Sequence, residues 1–180
     1  MEVINQETRR PPINFIKEGI KIGLINGAIA LLLMYGSYFA GLESFVSIQT
    51  YSRYVPYMMV VLIIYGLQLR KKNGGILSFK EALQYSFMSY VIVELMIGAG
   101  AYVLFNFVDK NLTQTTFDFA IAKLKKNGMS AEEIKKALGT VEEQRTTFKT
   151  VLLGMGYSLI LDFIASFVVS FIIRREKPAI

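Results

Sequence analysis

Four long apolar stretches, separated by charged clusters, organise the chain. Ile22–Leu42 runs for 21 residues without a charge. At a rise of about 1.5 Å per residue, a helix of that length crosses a hydrocarbon layer about 30 Å thick. Residues 54–69 form a second charge-free run, of 16 residues. That is short for a crossing, so flanking residues or local thinning must make up the difference; a re-entrant segment is the alternative. The third and fourth stretches, residues 82–108 and 150–173, each place one acid near their middle, Glu94 and Asp162.

The polar intervals between these stretches carry start and stop signals. Arg70-Lys71-Lys72 ends the second run, and Asn73-Gly74-Gly75 makes a turn. Ser78 with Glu81 then reads as a capping box that opens the third helix. Residues 109–149 form a polar insert of two amphipathic helices. Phe117, Ile121 and Leu124 share one face of the first; Ile134, Leu138 and Val141 share one face of the second. Asn127-Gly128 closes the first helix, Ser130 with Glu133 caps the second, and Gly139 is expected to kink or interrupt it.

The expected architecture is therefore all-α and integral to a membrane. It comprises a tail at 1–18, spans at 19–42, 54–70, 82–108 and 150–173, a tail at 174–180, and a two-helix extramembrane hairpin at 109–149 between spans three and four. Composition agrees: 53 % of residues are hydrophobic, mean hydropathy is +0.41, and the apolar residues lie in blocks. A net charge of +6 does not point to nucleic acid, because the basic residues cluster at the ends of apolar runs, where they set topology. Arg9, Arg10, Lys17, Lys21, Arg70, Lys71, Lys72, Lys80, Arg174, Arg175 and Lys177 all fall on one side of a four-span layout, and Arg53 alone in the short opposite loop. Both termini are expected in the cytoplasm and the hairpin outside it.

The chain has neither cysteine nor histidine. Disulfides, thiolate nucleophiles, imidazole bases and His or Cys metal sites are thereby removed, and no cofactor or metal is expected. No catalytic triad or paired-acid motif with a substrate pocket is visible, so an enzyme is the least favoured class.

Two patterns carry candidate chemistry. Gly19, Gly23 and Gly27 recur at four-residue steps, which lets another helix approach closely, either within the chain or from a second copy. On the third span Ser86, Tyr90, Glu94 and Gly98 repeat at the same step; on the fourth, Gly154, Ser158, Asp162, Ser166 and Ser170 do. Antiparallel spans would bring the two stripes together and Glu94 toward Asp162. Two readings stay open for Glu94, Asp162, Tyr90, Ser158 and Ser166. One is a site for a proton or small cation; the other is a protonated acid pair that acts as hydrogen-bonding glue. They correspond to a small ion-coupled carrier and to a non-catalytic membrane or envelope-complex component. The latter would associate with itself or an envelope partner through the glycine face and the hairpin.

The run Gly74-Gly75-Ile76-Leu77-Ser78-Phe79-Lys80-Glu81-Ala82, the hairpin motif Asn127-Gly128-Met129-Ser130-Ala131-Glu132-Glu133-Ile134 and the basic end Arg174-Arg175-Glu176-Lys177-Pro178 together resemble a family of small bacterial membrane proteins catalogued as a domain of unknown function. The resemblance implies four spans in a bacterial inner membrane. It implies no activity and no catalytic residue.

Overall fold

A computed structural model describes residues 13–52 and 56–176. The tail at 1–12, Arg53 with the start of the second expected span at Tyr54, and Lys177 lie outside these residues. The described chain is all-helical. Helices α1 (Phe15–Phe39), α2 (Leu42–Tyr51), α3 (Tyr57–Lys72) and α4 (Phe79–Val103) come first, and a π-helical turn (Leu104–Val108) extends α4. Helices α5 (Leu112–Lys126), α6 (Ala131–Leu138) and α7 (Phe148–Ile173) follow. Three helices are long and apolar enough to cross a membrane: Phe15–Phe39, Phe79–Val108 and Phe148–Ile173.

The first helix begins upstream of the apolar run because Asn14 caps it, accepting a hydrogen bond from the Lys17 N–H. From there α1 lies along α4 in the same direction. Gly19 faces Tyr85, Gly23 faces Ser89 and Ile92, and Gly27 faces Met96. Near the far end the Tyr35 hydroxyl donates to the Gly100 carbonyl at 2.9 Å. The Gly19–Gly27 face is therefore filled within the chain, by α4.

Helix α7 returns antiparallel to α4. The Ser86 hydroxyl reaches the Ser166 carbonyl at 3.3 Å, Gly98 packs on Val151 and Met155, and the Asn106 amide donates to the Thr146 carbonyl at 2.8 Å. At the opposite end a single antiparallel bridge joins Leu77 to Arg175, with N–H to carbonyl distances of 2.9 and 2.8 Å.

The described part of the second expected span is a single helix, as short as the charge-free run indicated. Helix α3 has 16 residues, about 24 Å of helix. Its C-terminal half is held firmly: Gly66 lies against Ile173 and the Tyr85 ring, the Tyr85 hydroxyl donates to the Leu62 carbonyl at 3.1 Å, and Arg70 donates to the Ile173 carbonyl at 3.1 Å. The Tyr65 hydroxyl donates to Glu18. Counting back nine residues from Gly66 and from Ile173 on these parallel helices brings Tyr57 level with Ile164, close to the depth of Asp162.

The polar residues 43–53, whose charges suggest a short connection, are for the most part the helix α2, Leu42–Tyr51. It turns at Gly41, whose φ of 109° suits glycine alone. Phe45 then packs with Met34, Leu104 and Leu112.

Helices α5 and α6 are joined at Asn127–Gly128, where Gly128 takes a φ of 84°. Both expected capping boxes form: Ser78 with Glu81 and Ser130 with Glu133. Gly139, at φ 67°, ends α6 outright instead of kinking it, and Thr147 with Thr150 caps α7 afresh.

The Ser130 N–H and hydroxyl both bond the Glu133 carboxylate, at 2.8 and 2.7 Å. These bonds, backbone first, hold its carboxyl below the usual glutamate range. A depressed folded value means the cap contributes above the ordinary glutamate range and is lost as pH falls through the folded value. Protection of the Ala131–Leu138 amides, taken relative to the intrinsic exchange rate at each pH, should therefore fall on acidification, and Ser130→Ala should show the lower protection already at neutral pH. Equal protection in the two proteins at neutral pH would remove the cap from α6 stability.

Candidate functional site

The polar stripes of α4 and α7 meet along the seam between the two helices, and they divide into two parts. The part nearer the chain termini is a serine ladder. Ser86 Oγ bonds its own helix at the Ala82 carbonyl (2.9 Å) and crosses to Ser170 Oγ at 3.2 Å. Ser170 Oγ donates to the Ser166 carbonyl at 2.6 Å, and Ser166 Oγ to the Asp162 carbonyl at 2.7 Å. Ser86, Ser166 and Ser170 are fully buried. Hydroxyls that return a bond to the i−4 carbonyl are satisfied on their own helix and still permit close approach.

The second part holds the acids. Glu94 on α4 lies within hydrogen-bonding reach of Ser158 and within electrostatic reach of Asp162 on α7. Tyr90, one turn before Glu94 and 6 % exposed, also lies within electrostatic reach of Asp162. The structure therefore brings Glu94, Asp162, Tyr90 and Ser158 together. It leaves Ser166 apart from the carboxyl groups, because its hydroxyl is spent on the Asp162 backbone. Asp162 Oδ2 is buried and has no hydrogen-bond partner. A carboxyl oxygen in that state is costly, since little in an apolar surrounding replaces the water it has lost.

Two further buried polar groups share this condition and were not readable as a site. Asn26 on α1 and Ser89 on α4 are both fully buried. Neither the Asn26 amide nor the Ser89 hydroxyl has a partner. Ser89 lies off the four-residue stripe, on the face of α4 that receives Gly23. The only signal available was Asn26 itself, an amide set among the apolar residues of α1. Among the described residues no group of three or more potential ligands is placed to hold a metal ion.

A bundle of long apolar helices around a buried polar seam defines a membrane-compatible helical protein. The chain belongs to the family described as "Protein of unknown function (DUF4199)", which matches residues 21–175. No curated protein and no solved structure matches it.

Proposed function

We propose that this is a four-crossing protein of the bacterial inner membrane whose Glu94–Asp162 pair takes up and releases a proton or a small monovalent cation, as in a small ion-coupled carrier. Its termini face the cytoplasm, and α5 and α6 lie outside the hydrocarbon layer. In this reading α2 and α3 in series make the second crossing. Both pack on the bundle of α1, α4 and α7, α2 near the hairpin end and α3 near the termini. A helix interrupted at mid-depth is accommodated where it is buried against protein.

The observation that carries the proposal is the unpartnered Asp162 Oδ2 beside Glu94. Glue would spend every carboxyl oxygen on interhelical bonds; Glu94 reaches Ser158 across the seam, but Asp162 Oδ2 makes no bond, and Ser86 joins the two helices without it. Two carboxyl groups in an apolar layer, with no lysine or arginine in the middle turns of α1, α4 or α7, require a counter-charge. A proton or a cation supplies it.

The test is infrared difference spectroscopy on the purified protein in lipid, across a Na⁺ titration at fixed pH and a pH titration at fixed salt. The expected result is a carboxyl band that responds to at least one of them. A band unchanged by Na⁺ and constant from about pH 5 to about pH 9 would return the chain to the class of non-catalytic membrane components.

A further inference from the structure

A cavity of about 550 Å³ opens where the outer ends of α4 and α7 meet the start of α5. It is separate from the acid pair. Asn106, in its wall, stands twelve residues beyond Glu94 on the same helix, about 18 Å away. Its lining is polar and basic: Asn106, Lys110, Asn111, Thr113, Gln114 and Arg145 all contribute.

The Gln114 side-chain amide is engaged, donating to Asp118 at 3.0 Å, but Arg145, Asn106 and the start of α5 have capacity to spare. Arg145 Nε is paired with Glu142 at 3.0 Å, and that pair is well exposed, 61 % and 69 %. The pairing holds one edge of the guanidinium and leaves the fork of terminal nitrogens for another acceptor. Helix α5 opens into the cavity with Asn111 at its N-cap, and that side chain makes no capping bond. Asp109 caps the start of α5, its Oδ1 accepting from the Asn111 N–H at 3.0 Å and its carbonyl from the Leu112 N–H at 3.1 Å; the next N–H groups, at Thr113 and Gln114, have no side chain on them. The Asn106 amide nitrogen is committed twice, to the Tyr102 carbonyl at 2.9 Å and the Thr146 carbonyl at 2.8 Å. Its carbonyl oxygen remains as an acceptor. Asn106 is presented by the π-helical turn Leu104–Val108, a feature that re-aims side chains at a helix end.

Two cations and free helix amides select an oxyanion with several acceptor atoms. A lone carbonyl acceptor in the same wall selects a hydroxyl attached to it. We propose that this cavity binds a phosphate ester bearing a hydroxylated substituent, a glycerophosphate group. It lies beside the exposed aromatic rings of Phe107 and Phe148, at the level where headgroups sit if α4 and α7 cross the bilayer. The group can thus come from an anionic lipid or from a soluble glycerophosphate.

Binding to the full-length protein in detergent separates these sources. The probes are dioctanoyl-phosphatidylglycerol, sn-glycerol 3-phosphate, and dioctanoylglycerol as the phosphate-free control. Saturable binding of the lipid alone assigns a headgroup site; binding of glycerol phosphate as well assigns a soluble ligand. In either case the combined Lys110→Gln and Arg145→Gln protein should bind at least about tenfold more weakly. A Lys125→Gln and Lys126→Gln protein, with the same change in charge on the far end of α5, should bind as the parent does. Dioctanoylglycerol binding as tightly as the phospholipid, equal loss in both variants, or no binding of either phosphate compound at millimolar concentration would overturn the proposal.

Discussion

Replacing Gly23 with leucine should force α1 away from α4 and cost about 1–3 kcal/mol of folding stability. A Cβ at this position would stand 2.8 Å from the Ser89 carbonyl oxygen and 2.9 Å from Ile92 Cβ. The first obstacle is backbone, which can move only if the helices separate. Separation then propagates, because the same seam carries the Gly19–Tyr85 approach below it and the Tyr35–Gly100 hydrogen bond above it.

Two comparisons make the prediction specific. At Gly27 the obstacle is the flexible side chain of Met96, which can rotate away, so Gly27→Ala should cost much less. At Gly154 nothing lies within 4 Å, and Gly154→Leu should be close to neutral. The measurement is the denaturation midpoint of the detergent-solubilised protein, read together with its particle mass. A Gly23→Leu protein that unfolds with the Gly154→Leu protein would refute the packing. A change in mass with no change in midpoint would instead place the glycines between two copies of the chain.

What the sequence disclosed follows from the physics of each feature. A charge-free run is long or it is not, and so the three longest apolar helices could be located from composition along the chain. The capping boxes at Ser78 and Ser130 could be found because they are local, with donor and acceptor three residues apart. The two polar stripes of equal step were visible as well, and on the antiparallel α4 and α7 they share one seam.

Other features depend on contacts that no local pattern records. Helix α2 was hidden because Glu43, Ser44, Ser47 and Gln49 outweigh Phe45, whose burial is provided by Met34, Leu104 and Leu112, residues distant in the chain. A break at Gly139 was legible; that it stops α6 instead of kinking it depends on its positive φ, which glycine permits without dictating. The division of labour along the α4–α7 seam was likewise unreadable. Serine and aspartate recur at the same spacing, and only the side-chain directions reveal that the serines make the bonds while Asp162 Oδ2 makes none.

That division decides what substitutions of the acids should do. Asp162→Asn removes the capacity to exchange a proton or to hold a cation at Oδ2, so the infrared response to Na⁺ or pH should be lost or reduced to that of Glu94 alone. Glu94→Gln should act in the same way from the other side of the seam, and the double variant should give no response. Stability should move differently. A charged acid at the centre of a membrane helix costs about 2.5–3.5 kcal/mol on insertion scales, and Asp162 Oδ2 recovers none of it through a hydrogen bond. Asp162→Ala should therefore leave the denaturation midpoint unchanged or raise it, whereas losing an interhelical hydrogen bond of the usual membrane strength would lower it, at a cost in stability of about 0.6 kcal/mol. Loss of the response without loss of stability would mark the pair as a site of exchange. Loss of stability in Asp162→Ala, with the response intact in Asp162→Asn and Glu94→Gln, would show that the acids hold α4 to α7 and that the proposed exchange does not occur there.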